Sequence, residues 1–167
     1  MREPLNLIKE SFVCAEVGVW KGDFSQAILN RKPSALHLID PWVRQDYVDR
    51  LYSTAQEKMD SVHRQVCNKF KDRKEVTIHR AYSTEVKFEE GFFDWLYLDA
   101  DHSYESVKKD LEHFAPLIKK GGYLTGDDYG WTDANCNRGP KPAIDEFAEE
   151  RGVELRVYPR RQFALLL

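Results

Sequence analysis

Short apolar runs recur along this chain, each followed by a turn and then by a helical pattern, and this recurrence restricts the fold more than any other feature. Ser11–Val17 (SFVCAEV) is a largely apolar segment ending at Gly18, which suits a buried strand. Asp23–Asn30 follows with Phe24, Ala27 and Ile28 at helical spacing and Asp23 placed to cap them. Ala35–Ile39 gives a second strand closed by Asp40-Pro41. Asp46–Asp72 is a long polar stretch in which Tyr47, Leu51, Ala55, Met59, Val62 and Val66 keep helical spacing. Glu75–His79 and Phe93–Leu98 read as the third and fourth strands. A helix beginning at Ser103 carries Val107, Leu111, Phe114 and Ile118 to a stop at Gly121-Gly122. Gly122–Thr125 makes a fifth strand and Pro142–Glu150 a helix. Val153–Tyr158 and Gln162–Leu167 are closing strands around Pro159-Arg160-Arg161.

Strands alternating with helices imply a parallel sheet covered on both faces. The turn at Pro159 is too short for a parallel crossover, so the last strand is expected to run against its neighbours. The expected fold is therefore α/β and Rossmann-like: a seven-stranded, mostly parallel sheet with one antiparallel strand and helices on both faces. No linker-like tract divides residues 1–167, which read as one domain. Charge narrows the function. With 25 Lys+Arg against 28 Asp+Glu and no basic tract, the chain lacks the clustered cations that nucleic-acid binding needs. No apolar run approaches the ~20 residues of a membrane span. Cys14, Cys67 and Cys136 are odd in number and widely spaced, so a reducing, cytoplasmic setting is expected, with neither a disulfide framework nor a zinc site.

Open parallel sheets bind ligands at the carboxyl ends of their strands. Gly18 and Gly22 sit in the turn after the first strand, where they allow a tight bend and close approach of a ligand. Trp20 stands where a dinucleotide fingerprint needs its middle glycine, and the phosphate-cradling G-x-x-x-x-G-K-[ST] pattern is absent. Asp40 ends the second strand, placed to accept hydrogen bonds from ribose hydroxyls; its plainer reading is an Asp-Pro turn. Together these features point to a nucleoside-like cofactor without a pyrophosphate.

The sequence resembles the class I S-adenosylmethionine-dependent methyltransferases, in particular the small-molecule O-methyltransferases of macrocin and catechol type. The resemblance lies in Glu16–Gly22, Leu38–Trp42, Asp94–Glu105, Gly121–Tyr129 and Lys141–Phe147, with Asp94–Glu105 (DWLYLDADHSYE) its most specific segment. It implies S-adenosylmethionine held by Glu16, Gly18, Trp20, Gly22, Asp40 and Asp99, with adenine against Ala81-Tyr82-Ser83. Many such enzymes carry a third glycine where this chain has Trp20.

Asp99, Asp101 and His102 end the fourth strand, and Asp127 and Asp128 the fifth. If those strands are neighbours, the crowded carboxylates need a cation or partial protonation. Oxygen donors favour Mg²⁺, Ca²⁺ or Mn²⁺ over zinc, and the resemblance implies a divalent ion, Mg²⁺ foremost, on Asp99, Asp127 and Asp128. Methyl transfer needs a deprotonated acceptor oxygen, for which His102 is the candidate base and Asp99 a second catalytic group. Plainer readings stand beside these: Asp101-His102-Ser103 as a helix start, and Asp127-Asp128 as a solvated turn. Trp95 and Tyr97 read as core, and Trp42 and Trp131 as candidates for lining the acceptor pocket. The expected activity is metal-assisted O-methylation of a small-molecule hydroxyl, on a sugar or natural product. The alternatives are a glycosyltransferase using Asp99-Ala-Asp101 and a non-catalytic S-adenosylmethionine-fold module. The short length leaves room for a homo-oligomer in which a second subunit completes the acceptor pocket.

Overall fold

Side chains alternate across a strand, and this alternation sorts the core into two layers. Ala15 and Val17 face one layer and Cys14 the other; Leu96 and Leu98 part from Trp95 and Tyr97 in the same way. The computed structural model describes residues 2–44, 55–132 and 139–167. In it seven strands form one sheet: β1 Val13–Val17, β2 Ala35–Ile39, β3 Val76–His79, β4 Phe93–Leu98, β5 Ile118–Gly126, β6 Glu154–Tyr158 and β7 Gln162–Leu166. Their spatial order is β3-β2-β1-β4-β5-β7-β6, and β7 alone runs antiparallel to its neighbours. Helices α1 (Asp23–Leu29) and α2 (Gln56–Phe70) cover one face, and α3 (Tyr104–Phe114) and α4 (Pro140–Arg151) the other. This is the expected seven-stranded Rossmann-like sheet. Among the described residues no helix is long and apolar enough to cross a membrane.

Several boundaries differ from the sequence reading. Helix α3 ends at Phe114 rather than running through Ile118, because Pro116 lacks the N–H that the next helical turn would need. A single 3-10 turn, Ala115–Leu117, follows, and Ile118 already belongs to β5. Asp23 is not the cap of α1: Gly22 takes that position in the left-handed region (φ 71°), and the Asp23 carboxylate pairs with Lys69 at 2.8 Å. Helix α4 begins two residues before the expected Pro142. Tyr47, Leu51 and Cys136 lie outside the described residues.

The segment ahead of β1 also belongs to the fold. Glu3–Leu7 forms a 3-10 turn with Pro4 and Leu5 buried, and it packs against β5 and β7. The Trp95 indole donates to the Pro4 carbonyl at 3.2 Å, and the Glu3 amide donates to Gln162 Oε1 at 2.9 Å.

Candidate active site

Parallel strands paired in register end together. Val17 pairs with Ile39 and with Leu98, and Leu98 with Gly126. The next residues, Asp40, Gly18, Asp99 and Asp127, therefore stand in a row on four adjacent strands, spaced about 4.8 Å apart. Backbone bonds continue one step past the strands: the Gly18 amide donates to Ile39 O (2.9 Å), Asp99 to Val17 O (2.8 Å) and Asp127 to Leu98 O (3.0 Å). The strand order reverses between β1 and β4, which is where open α/β sheets hold ligands.

A cavity of about 570 Å³ opens at that point, and Gly18, Trp20, Asp40, Ser83 and Asp99 all border it. Its volume lies within the usual range of roughly 300–1,000 Å³ for small-molecule sites. Gly18 is demanded first by packing: a Cβ there (φ 88°) would come within 2.0 Å of the Asp99 carbonyl oxygen. Asp40 ties two turns together. Its Oδ2 accepts from the amides of Val19 (2.9 Å) and Trp20 (3.0 Å), and its Oδ1 from that of Trp42 (2.7 Å). A carboxylate has about four acceptor positions, so one remains for a ligand where the sequence reading expected enough for two ribose hydroxyls. Burial pushes the Asp40 carboxyl above the usual carboxylate range, and these three amides pull it back.

Two expected cofactor residues lie away from this wall. Glu16 is fully buried beneath the turn, where its carboxyl accepts from the Ser25 hydroxyl. Gly22 faces the Phe70 ring, which a Cβ would meet at 2.8 Å. Trp42 is buried as well, its indole donating to Trp20 O at 2.9 Å, so it shapes the turn rather than an acceptor pocket. Trp95 and Tyr97 are core, as expected. On the far wall Ser83 donates to Asp110 at 2.5 Å, and burial pushes the Asp110 carboxyl up to about 6. Asp110 was missed in the sequence, although it interrupts the apolar stripe Val107, Leu111, Phe114 of α3, an anomaly that could have exposed it.

The carboxylates beyond Asp99 divide into two groups. Asp128 adopts a left-handed backbone (φ 58°), and its Oδ2 lies 3.1 Å from His102 Nε2. The His102 ring packs against Trp131 with centroids 5.2 Å apart. Asp127 instead meets Arg2, whose guanidinium bridges Asp99 Oδ2 at 2.9 Å and Asp127 Oδ2 at 3.1 Å. Burial raises the Asp99 carboxyl above its ordinary range and Arg2 opposes that rise. The expected triad Asp99, Asp127 and Asp128 therefore does not gather around one ion. Among the described residues, the potential ligand atoms that lie within 4.8 Å of one another belong to Asp99, His102 and Asp128. A Mg²⁺ ion wants near-octahedral oxygen. This set offers it an imidazole nitrogen that faces Asp128 at 3.1 Å and a carboxylate already paired with a guanidinium, and does not fit it. Asp101, the second acid of the D-x-D spacing, accepts from the Ser103 amide (2.7 Å), and Ser103 caps α3.

Comparison with known proteins agrees with this fold. Residues 15–129 match a family described as a methyltransferase domain. No curated protein matches the sequence. Among solved structures, the chain is similar to an S-adenosylmethionine-dependent methyltransferase from Aquifex aeolicus (18% identity, 98% of this chain on 88% of that one, TM-score 0.60). It is also similar to the N-methyltransferase NodS from Bradyrhizobium japonicum (14%, 98% on 90%, TM-score 0.65). A third likeness is to fibrillarin from Aeropyrum pernix, solved with natively bound S-adenosyl-L-methionine (14%, 97% on 67%, TM-score 0.61). At these identities the structures share the fold. Because the family match takes in more than two thirds of its residues, the chain belongs to the methyltransferase-domain family.

Proposed function

We propose that the chain transfers the methyl group of S-adenosylmethionine to a hydroxyl of a small molecule, a sugar or natural product. The observation that carries this reading is the convergence of Asp40 and Asp99 on one cavity beside the Gly18 turn, in a chain of the methyltransferase family. The ribose lies at Asp40, the adenine at Tyr82 and Ser83, and the methionine end at Gly18 and Asp99. The reactive methyl then faces the side of Asp99 on which His102 and Asp128 stand.

A sulfonium methyl is already electrophilic, so the protein must align an acceptor oxygen about 3–3.5 Å away and remove its proton. The His102 imidazole, held by Asp128, takes that proton. The oxygen lone pair forms the new O–C bond as the C–S bond breaks, and sulfur keeps the electron pair as a neutral thioether. The glycosyltransferase alternative loses support because the Asp101 carboxylate is engaged at the start of α3.

Calorimetry tests the reading. Binding of S-adenosylhomocysteine without binding of a UDP-sugar is expected, and the reverse result refutes it. With an acceptor found by screening hydroxylated compounds against labelled donor, His102→Ala is expected to lose about 100-fold or more in turnover, with cofactor affinity nearly unchanged. A fully active variant removes His102 from the mechanism.

A further inference from the structure

We propose that Arg2 is the resident cation of this site, a positioning residue whose guanidinium takes the place between Asp99 and Asp127 that a divalent ion would otherwise occupy. Its surroundings suit a guanidinium better than a metal. The guanidinium carbon lies 4.2 Å from the Phe24 ring centroid and 5.1 Å from that of Tyr97, and the two rings pack on each other at 4.5 Å. A flat, weakly hydrated cation gains from aromatic faces, whereas Mg²⁺ keeps several waters and requires oxygen around it. The other two sides of the chamber are carboxylates, each reached by a different nitrogen of the same group.

Arg2 is also held there. The turn that follows is pinned through Pro4 to the Trp95 indole and through Glu3 to Gln162. Leu5 and Ile8 are buried in the same core layer as Cys14, Ile28 and Trp95. The cation thus arrives with the fold and fixes the direction of Asp99, which borders both the cofactor cavity and the smaller hollow beside His102.

The role of this cation in catalysis rests on the methyl-transfer reading, but its test does not, since binding of Mn²⁺ needs neither cofactor nor acceptor. Electron paramagnetic resonance of Mn²⁺ titrated into the full chain is expected to show no tight site in the wild type. Arg2→Ala should gain a site at least tenfold tighter, which a second substitution, Asp99→Asn, removes. Arg2→Lys, which keeps the charge, should behave as the wild type, with circular dichroism confirming that each variant is folded. A Mn²⁺ affinity that Arg2→Ala leaves unchanged, whether tight or absent in both proteins, overturns the proposal. Failure of S-adenosylhomocysteine to bind would instead count against the methyl-transfer reading alone.

Discussion

Glu16 shows how far a residue's position in a motif can lie from its physical role. It occupies the acidic position of the first turn, yet its side chain points beneath the sheet rim, buried and bonded to Ser25. Burial pushes its carboxyl up to about 8, with Asp99 and Asp40 adding to the rise and Arg2 opposing it. At neutral pH the folded protein therefore keeps a proton that the unfolded chain, with an ordinary value near 4.5, has lost. The folded state binds more protons, so this group's contribution to stability falls as pH rises from about 4.5 through 8. Glu16→Gln keeps an acceptor for Ser25 and removes the titration. Urea unfolding at pH 6 and pH 8 is expected to show the wild type losing on the order of 2 kcal/mol more than the variant over that interval. Equal slopes would place the Glu16 titration elsewhere. Arg2 makes the converse point: it belongs to no motif, and the docking of its segment emerges only in the structure, where Pro4 and Leu5 are buried.

At the scale of elements, the strand ends were legible because parallel strands that share a sheet stop at one rim, whatever their side chains. That rule alone brought Asp40, Asp99 and Asp127 into line from their positions after apolar runs. The end of α3 was not legible, because Ile118 happens to fall four residues after Phe114 and so mimics one more helical turn. Pro116 was the stronger signal. The direction of each acid at the rim was also beyond the pattern: consecutive residues Asp127 and Asp128 diverge to Arg2 and His102, a split set by a left-handed backbone and not by residue type. Two glycines separate packing from backbone conformation. Gly18→Ala would drive a methyl group into the Asp99 carbonyl, whereas Gly121→Ala (φ 78°) meets nothing within 4 Å. The second substitution should cost only the left-handed penalty of roughly 1–2 kcal/mol. The first should cost clearly more and separate β1 from β4, a ranking that thermal unfolding of the two variants checks.

At the scale of the whole molecule, two exposed aromatic side chains meet at the cavity. Among the described residues three large hydrophobic side chains are exposed, Trp20 at 41%, Tyr82 at 51% and Val157 at 53%. The first two border the same cavity, from the turn after β1 and the loop after β3, while Val157 lies on the edge strand β6. Aromatic faces left open on opposite walls of a concave site are surface for a ligand to cover. A ligand that binds only the folded state stabilises it by about 2.7 kcal/mol at a hundred times its dissociation constant. For a chain of this size that corresponds to a melting shift of about 5–10 °C. S-adenosylhomocysteine is expected to produce such a shift. Tyr82→Ala should leave the unliganded melting temperature nearly unchanged, because an exposed ring contributes little to the fold, yet weaken the ligand by about 1 kcal/mol or more. Trp20→Ala should do the same from the other wall. Thermal scans across a ligand titration read all three proteins at once. A ligand shift that survives both substitutions in full would move the nucleoside away from this cavity and, with it, the assignment of Asp40 to the ribose.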